Sequence, residues 1–428
     1  MKKLFIFLSL VSLVLGSDVQ LIKKENSDSN TTLLVIGGIH GNEPGGYFAA
    51  SILAQYYDIT SKNLWIVPNL NQESIVRNNR GIHGDMNRKF STIKKSDPDK
   101  KIVDAIKKII LSPEVSLVVN LHDGHGFYRK KNQGSIFNPN AWGQTCVIDQ
   151  QQLLQNQTFG NLNDIALNVK NNINKKLLQK HHLFDVKNTK TKYIDEEMQL
   201  SLTYFAVTHN KPAFAIETSK NLSSLSQKVF YQLLAIEEYM KIMGITYQRN
   251  FDLNENEIAK LLTNHGTLVI NHNLLLDLNN LKKSLRFIPI KSACNDFSFS
   301  HNLGKIKKSK EGYKVYIGNQ LITKLKPQYF KICSKCPENF AVEVDGKQIS
   351  VQKASEFFVM DDFKVLSLKG YRVNIIGYSS KLKGDESDII ISKEDMNKYY
   401  SIDKDENVYR VEFYKKDEFC SMLLVHFK

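Results

Sequence analysis

The stretch LLVIGGIHGNEPGGYFAA, residues 33–50, passes from an apolar strand pattern through a glycine-rich turn into a helical pattern. Between strand and helix lie His40 and Glu43, in a His-x-x-Glu arrangement whose flanking glycines let other atoms approach closely. This is the setting of a metal or catalytic site, but short motifs of this kind also occur in ordinary surface turns. The rest of the sequence has to decide between the two.

The same alternation of strand and helix continues to about residue 245. Apolar runs at 64–69, 116–121 and 213–218 have the length and composition of buried strands, and helical patterns cover 44–57, 99–112, 161–178 and 224–243. The pattern predicts an α/β domain built around a mixed sheet, spanning residues 18–245. A chain of 428 residues is too long for one hydrophobic core, so further domains are expected.

After residue 250 the sequence pattern changes to short β-rich segments separated by turn residues. These segments predict two small all-β, sandwich-like modules, 250–337 and 340–428, the second of immunoglobulin-like type. Cys333 and Cys336 lie at the junction in a C-x-x-C spacing without further metal ligands or a thioredoxin-like context. We expect them to form a local disulfide or to be two spare thiols.

The N-terminus MKKLFIFLSLVSLVLGSDVQ has two lysines, a short apolar run and small residues before Ser17. This pattern predicts a signal peptide over residues 1–16, because the run is too short for a membrane anchor. We therefore expect a periplasmic protein that does not span the membrane. The net charge of +14 favours an anionic partner, and an exported chain without an Arg-aromatic motif indicates a wall polymer or peptide and not nucleic acid. Frequent use of lysine explains the charge equally well.

A metal bound by His40 and Glu43 needs a third ligand from another strand end. His122 in SLVVNLHDGHGF (116–127) directly follows an apolar strand, and His125 is a rival in the glycine-rich loop beyond it. Two histidines and one carboxylate with a fourth position left for water are typical of catalytic zinc. Glu217, at the end of another buried strand, is the candidate general base, although a solvent-facing Glu is the alternative.

The segment RNNRGIHGDMNRKF, residues 77–90, adds a group of hydrogen-bond donors. Arg80, Asn87 and Arg88 have the side chains needed to hold a carboxylate and to stabilise developing negative charge. A basic surface loop would explain Arg77 and Lys89, but it does not explain the Asp-Met-Asn-Arg-Lys-Phe sequence. The segment is therefore interpreted as part of the same site.

The order of these motifs resembles the zinc metallocarboxypeptidase (funnelin) family and its aspartoacylase and succinylglutamate desuccinylase branch. With a signal peptide in front and two β modules behind, the layout is most similar to periplasmic D,L-carboxypeptidases that determine cell shape in helical Gram-negative bacteria. The resemblance implies that His40, Glu43 and His122 bind Zn²⁺ and that Glu217 is the base. It further implies that Arg80 polarises the scissile carbonyl and that Asn87 and Arg88 bind the terminal carboxylate.

The implied reaction is hydrolysis of the γ-D-Glu–meso-diaminopimelate bond in peptidoglycan tripeptide stems, which leaves dipeptides. Trp142, in NPNAWGQ, is expected to line the pocket for the departing residue, and the β modules are candidate contact surfaces for cell-wall proteins. Two alternatives stay open: an N-acyl amino acid amidohydrolase of the desuccinylase type, and a non-catalytic wall-binding scaffold. The presence of a base beside three ligands favours an enzyme.

Overall fold

The computed structural model describes residues 10–13, 19–26, 29–153, 157–194, 196–379 and 384–428. Of the predicted signal peptide, residues 1–9 and 14–16 lie outside these ranges, and Leu10–Leu13 forms an edge strand. The chain divides into two compact units, one ending at Thr263 and the other beginning at Asn264. No helix within the described ranges is long and apolar enough to cross a membrane.

The first unit is an α/β domain with helices packed on a mixed sheet. Its helices are α1 Pro44–Tyr56, α2 Gln72–Val76, α3 Lys100–Ile110, α4 Leu162–Ile173, α5 Thr191–Ile194, α6 Leu202–Thr208, α7 Leu225–Met243 and α8 Glu255–Thr263. Its strands are β1 Leu10–Leu13, β2 Ile22–Glu25, β3 Thr32–Ile36, β4 Tyr57–Ile59, β5 Asn63–Val67, β6 Val115–Gly124, β7 Phe127–Tyr128, β8 Phe137–Asn138, β9 Thr145–Ile148, β10 Asp185–Asn188, β11 Ala213–Ser219 and β12 Tyr247–Arg249.

Eight of these strands form one sheet in the order β1-β2-β5-β3-β6-β11-β9-β10. The central strands β5, β3, β6 and β11 are parallel to their neighbours in this group, while β2 and β9 join it antiparallel. Every residue of β3 and β5 is buried, which explains why these strands are apolar throughout and do not alternate. The ends of β3, β6 and β11 therefore lie side by side at one edge of the sheet.

The second unit contains only strands and short 3₁₀ turns among its described residues. The strands are β13 Thr267–Ile270, β14 Leu274–Asp277, β15 Ser284–Ile290, β16 Phe297–Phe299, β17 Gly304–Ser309, β18 Gly312–Ile317, β19 Gln320–Tyr329, β20 Lys331–Ile332, β21 Asn339–Val344, β22 Lys347–Gln352, β23 Glu356–Val359, β24 Asp362–Val365, β25 Arg372–Ile376, β26 Ile391–Ser392, β27 Val408–Lys415 and β28 Glu418–Phe427. The predicted α/β domain followed by all-β modules is confirmed. The finer module boundaries remain predictions.

The C-terminal part of the second unit is a sandwich of two sheets. One sheet has the order β22-β21-β24-β26, and the other has the order β20-β28-β27-β25 with β23 also paired to β28. Their inner faces share one apolar core, in which Phe340 stacks on Phe413 with ring centroids 3.8 Å apart. Buried and more exposed residues alternate along β21, so this strand turns one face to the core, whereas β27 and β28 are buried along nearly their whole length.

The prediction for Cys333 and Cys336 was wrong. Cys336 forms a disulfide with Cys420 on β28, 84 residues away in sequence, and Cys333 is a buried free thiol. The two Cα atoms of the bridge are 5.4 Å apart, a separation that a disulfide spans readily. The bond ties the loop before β21 to the central strand of the opposite sheet.

We expect the double substitution Cys336→Ser and Cys420→Ser to lower the free energy of unfolding of the second unit. Closing a long loop removes entropy from the unfolded chain, so the expected loss is about 2–4 kcal/mol. The measurement is urea denaturation of the full chain under non-reducing conditions, with Cys294→Ser, at an exposed free thiol, as the matched control. An unchanged unfolding midpoint would contradict this prediction.

Candidate active site

Two of the three predicted metal ligands lie in the loop between β3 and α1. His40 and Glu43 come from the intervening loop, and Pro44 begins α1 at its first position. Glu43 occupies the N-cap position, but its side chain makes no capping hydrogen bond and turns towards the histidines. A Cβ at Gly41 would lie 2.1 Å from the backbone of Ser74, so only glycine lets this loop pack against α2.

His122, near the end of β6, is the third predicted ligand, and we call His40, Glu43 and His122 together the metal group. One ligand atom from each of His40, Glu43 and His122 lies within 4.8 Å of the other two, and all three side chains are buried. The rival His125 is exposed in the following loop and does not belong to this group, although it lines the same cavity. The strand continues through Gly124, so His122 shares its strand face with Asn120.

In each of the two histidines the inner nitrogen, Nδ1, faces Glu43, and the outer nitrogen, Nε2, contacts a side chain outside the metal group. His40 Nε2 lies 2.8 Å from Asp85 Oδ1, and His122 Nε2 lies 2.7 Å from Asn120 Nδ2, an amide nitrogen that can only donate. The inner Nδ1 of His122 is 2.9 Å from Glu43 Oε2, and the inner Nδ1 of His40, 3.0 Å from Glu43 Oε1, is buried without an aligned hydrogen bond. The contact of His40 Nε2 with a carboxylate is typical of a metal-binding histidine, and with the three ligand atoms grouped together the residues fit a metal ion.

The charges of Glu43 and His122 support the same conclusion, whereas for His40 burial acts to lower the pKa but the carboxylates of Glu43 and Asp85 outweigh it and raise that pKa. Burial acts to raise the pKa of Glu43, but the adjoining His40 and His122 outweigh it and hold that pKa well below its ordinary value. Burial lowers the pKa of His122, which keeps its imidazole neutral. A carboxylate and a neutral imidazole are the protonation states in which these side chains bind a metal.

Glu217 lies beside the metal group on β11. In the parallel pairing of β11 with β6, Glu217 is directly opposite His122, so their side chains share a face of the sheet. Burial raises the pKa of Glu217 well above its ordinary value, and the negative charges of Glu43 and Asp123 act in the same direction. A carboxylate with a raised pKa is a stronger proton acceptor, as a general base requires.

The predicted donors line the same cavity, which measures about 240 Å³. Arg80 donates to Glu43 Oε1 from Nη1 at 3.2 Å and to Asp85 Oδ2 from Nε at 2.9 Å. Asn87 accepts a hydrogen bond from the Leu202 backbone through Oδ1, which leaves its NH₂ group to donate elsewhere. Arg88 has one ion-pair partner among the described residues, Glu197 at 4.0 Å, and therefore retains donors for a ligand.

Trp142 also lines the cavity, opposite the end of β6. A Cβ at Gly124 would lie 2.6 Å from Trp142 Cβ and 2.8 Å from Glu217 Oε2, so glycine is required for the close approach of these side chains. The Lys187 ammonium lies 4.1 Å from the centre of the Trp142 ring. The structure thus brings all of the predicted site residues to one cavity.

Among the side chains in or beside the cavity that the sequence did not point to are Asp85 and Lys220. Asp85 bridges His40 and Arg80, and the Lys220 ammonium lies 3.5 Å from Glu43 Oε1. Lys220 follows the end of β11, so the same strand-end argument that selected Glu217 would have found it. Asp85 was visible in the Asp-Met-Asn-Arg sequence, but its partner His40 is 45 residues away and no local pattern links the two.

Comparisons with known proteins agree with this geometry. Residues 1–263 match a family described as the catalytic part of a carboxypeptidase controlling helical cell shape, and residues 333–428 match a C-terminal domain of metallo-carboxypeptidase. Apo Csd4 from Helicobacter pylori, a cell shape determinant protein, is 33% identical with a TM-score of 0.90, covering 96% of this chain and 100% of that one. No curated protein sequence matches the chain.

Ligand-bound structures of the same Helicobacter pylori protein are equally similar. Its mDAP-bound form, described as a D,L-carboxypeptidase, is 34% identical with a TM-score of 0.90, covering 95% of this chain and 100% of that one. Its tripeptide-bound form is 33% identical with a TM-score of 0.89, covering 96% and 100%. The similarity therefore extends over both compact units.

Proposed function

Because this chain belongs to the family of metallocarboxypeptidases that control helical cell shape, we propose that it is a zinc D,L-carboxypeptidase acting on peptidoglycan. The bond cleaved is the γ-D-Glu–meso-diaminopimelate bond of tripeptide stems, and the products are a dipeptide stem and free diaminopimelate. The tripeptide and mDAP found in structures of the similar Helicobacter pylori protein support this choice of substrate.

The observation that carries this proposal is the set of side chains that line one cavity. The metal group, the half-buried carboxylate of Glu217 outside it and the donors of Arg80, Asn87 and Arg88 all line the same 240 Å³ space. A metallocarboxypeptidase needs each of these parts: a metal site, a base, and cationic side chains for the terminal carboxylate. An inert scaffold would have no use for a base beside the ligands.

Zinc is the metal that two histidines and one carboxylate favour when a coordination position stays open. When bound, zinc would supply a Lewis acid that polarises the scissile carbonyl and lowers the pKa of water. Glu217 accepts a proton from the attacking water and delivers it to the departing amine of diaminopimelate. Arg80, with its side chain 46% exposed beside the metal group, donates to the carbonyl oxygen as negative charge develops there.

Asn87 and Arg88 orient the substrate. The NH₂ group of Asn87 and the guanidinium of Arg88 bind the carboxylate of the residue that leaves, which places the scissile bond beside Glu217. Trp142 supplies an apolar wall for the side chain of that residue. The short 3₁₀ turn Met86–Arg88 that carries both donors is held by Asp85, whose side chain accepts from the Asn87 backbone.

Two observations support a periplasmic location. The sequence begins with the pattern of a cleavable signal peptide. The Cys336–Cys420 disulfide is a bond that persists in oxidising compartments such as the bacterial periplasm and is rare in the cytoplasm. Mass spectrometry of the protein recovered from the periplasmic fraction tests this location, since cleavage after Gly16 would leave Ser17 at the N-terminus.

The proposed reaction is tested with purified muropeptides. Incubation of the metal-loaded protein with disaccharide tripeptide should release diaminopimelate, and the remaining disaccharide dipeptide is identified by its mass. Tetrapeptide and pentapeptide muropeptides in parallel reactions measure the preferred stem length, and N-succinyl glutamate measures the alternative amidohydrolase activity. Release of succinate without cleavage of any muropeptide would refute the proposal.

Arg88→Ala should weaken substrate binding. Loss of a charged partner leaves the substrate carboxylate unpaired, which costs on the order of 2–5 kcal/mol in kcat/KM. The expected change is mainly a higher KM for the tripeptide, measured by steady-state kinetics, with unchanged metal content. Arg77→Ala, an exposed arginine in the same region, is the matched control and should leave KM unchanged. An unaltered KM in Arg88→Ala would remove Arg88 from the binding site.

A further inference from the structure

The second unit contains a cleft of about 390 Å³ that has no part in the proposed reaction. We call it the aromatic cleft and define it by Arg286, Phe287, Lys398, Tyr399, Tyr400 and Arg410. It lies between the irregular part of β15 and the 3₁₀ turn Lys398–Tyr400 that precedes β27. All of its walls come from residues after Asn264.

The backbone of β15 is strained at the cleft. In the pairing with β19, Leu285 is opposite Leu325 and Ile288 is opposite Pro327, so two residues of β15 bulge against one of β19. Phe287, within this bulge, has a φ of +57° and a side chain that is 57% exposed. A positive φ is costly for a bulky residue, and such strain persists mainly where it serves a function.

A buried arginine holds the strained residue in place. Arg410 is 4% exposed, and its Nη1 donates to the Phe287 carbonyl at 3.0 Å and lies 3.3 Å from Glu412 Oε1. Its Nε is buried and has no hydrogen-bond partner within the described part of the chain, and the hydroxyl of Ser284 at the cleft wall is likewise unpartnered. Buried donors without partners are rare in folded proteins and indicate a missing ligand or water.

Two further aromatic side chains form the opposite wall. Tyr399 is 65% exposed and Tyr400 is 42% exposed, with ring centroids 5.2 Å apart in an edge-to-face arrangement. Arg286 donates to the Tyr399 hydroxyl at 3.0 Å, which fixes the orientation of that ring. Three exposed aromatic rings around one cleft are unusual on a protein surface and are typical of a binding site.

The cleft is also positively charged. Its lining includes the cations Lys282, Arg286, Lys398 and Arg410, against the single lining carboxylate of Glu406. Lys398 lies 3.8 Å from Glu406, and Arg410 is paired with the buried Glu412 behind the wall, so among the described residues Lys282 and Arg286 are the two cations of the lining without a carboxylate partner. A ligand that suits the cleft therefore combines apolar ring faces with negative charge.

We propose that the aromatic cleft binds a saccharide chain that carries carboxylates, and, given the proposed function, that this chain is the glycan of peptidoglycan. The apolar faces of pyranose rings pack on the aromatic walls, and carboxylates reach the arginine and lysine side chains. Aromatic and cationic side chains also suit single-stranded nucleic acid. The disulfide of this unit indicates an oxidising compartment, and the proposed function makes the wall glycan the polymer that the protein meets there.

Such a site would keep the enzyme on its polymeric substrate. Binding of the second unit to a glycan strand raises the local concentration of stem peptides around the same molecule. Hydrolysis of stems on intact wall would then depend on the cleft, whereas hydrolysis of a free tripeptide would not. This difference separates the cleft from the catalytic cavity in experiment.

The test uses the full chain and purified sacculi. Binding is measured by cosedimentation in the presence of a chelator, so that the stems are not cut, for the double variant Tyr399→Ser and Tyr400→Ser and for Arg286→Gln. Tyr329→Ser, at an exposed tyrosine of β19 outside the cleft, is the matched control. We expect each cleft variant to bind about tenfold more weakly, as loss of one good contact implies, and the control to bind like the wild type.

Two soluble probes identify the source of the carboxylates. Glycan strands stripped of stem peptides retain lactyl carboxylates, and disaccharide tripeptide adds those of the stem. Cleft-dependent binding of stripped strands assigns the site to lactyl groups, and binding of disaccharide tripeptide alone assigns it to stems. Either result supports the proposal, whereas equal sacculus binding by wild type and Arg286→Gln, which alters only an exposed side chain, overturns it.

The remaining measurements separate this inference from the proposed function. Tighter cleft-dependent binding of oligo(dT) than of glycan would overturn the saccharide assignment. Hydrolysis of free tripeptide by the cleft variants should equal that of the wild type, while hydrolysis on sacculi should fall with binding. If the wild type cleaves no tripeptide but binds sacculi through the cleft, the proposed function is wrong, whereas the proposal that the cleft binds glycan is supported.

Discussion

Replacing Glu217 with Gln is expected to lower the rate of tripeptide hydrolysis by about 10²–10⁴-fold, the usual cost of losing a general base. Gln has nearly the same shape and still forms hydrogen bonds, but it cannot accept a proton at neutral pH. Glu217 is not one of the three grouped metal ligands, so metal content and tripeptide binding should persist. The effect should therefore appear in kcat and not in KM.

This prediction is measured by comparing kcat, KM and metal content in the same protein preparations. Glu73→Gln, at an exposed position on α2, is the matched control for the carboxylate-to-amide change and should retain wild-type kinetics. Arg88→Ala provides the opposite pattern, with KM raised. If Glu217→Gln kept more than about a tenth of the wild-type kcat, a value above the range for loss of a base, the proposed mechanism would be wrong.

His122→Ala should remove both the metal and the activity. We expect about one metal ion per wild-type chain, because three ligands form a single site with an open position. Loss of one direct ligand should weaken metal binding by more than the roughly 10–100-fold that outer hydrogen-bond partners contribute. Elemental analysis after dialysis against a weak competing chelator measures this change, and tripeptide hydrolysis should disappear with the metal.

Two further variants show how much metal affinity depends on a partner of His40 and whether His125 binds the metal. Asp85→Asn removes the charged partner of His40 Nε2 and should weaken metal binding by about 10–100-fold, the range for outer partners. His125→Ala alters an exposed side chain of the same cavity and should keep the metal. Full metal content in His122→Ala together with its loss in His125→Ala would show that His125 is the ligand instead.

Much of the fold and site follows from local patterns in the sequence. The apolar runs around 33–38 and 213–218 are continuous because β3 and β11 are buried on both faces. Burial on both faces can therefore be predicted from the residue types of the strand alone. Polar residues that follow such runs must come to the carboxyl edge of a parallel sheet. His40, Glu43, His122 and Glu217 could therefore be grouped before any contact was known.

The partners of these residues could not be predicted in the same way. His40 meets Asp85 across 45 residues, and Cys336 meets Cys420 across 84, because the packing of whole sheets brings these segments together. Hydrophobic periodicity identifies which face of a strand is buried, but it does not identify the strand that covers it. The C-x-x-C spacing suggested a local bond, and the sandwich core instead placed Cys420 within reach of Cys336.

The sequence by itself determined the chemistry available to this protein: the ligand types, the base, the donors and their order along the chain. Only the tertiary structure decided which of the two histidines joins the metal group, because β6 extends to Gly124 and turns His122 to the face shared with Glu217. It also decided that Arg286 and Phe287 line one cleft with Tyr399, which lies 113 residues from Arg286 in the sequence. Residue types are local properties, whereas distances between remote side chains depend on the packing of the entire chain.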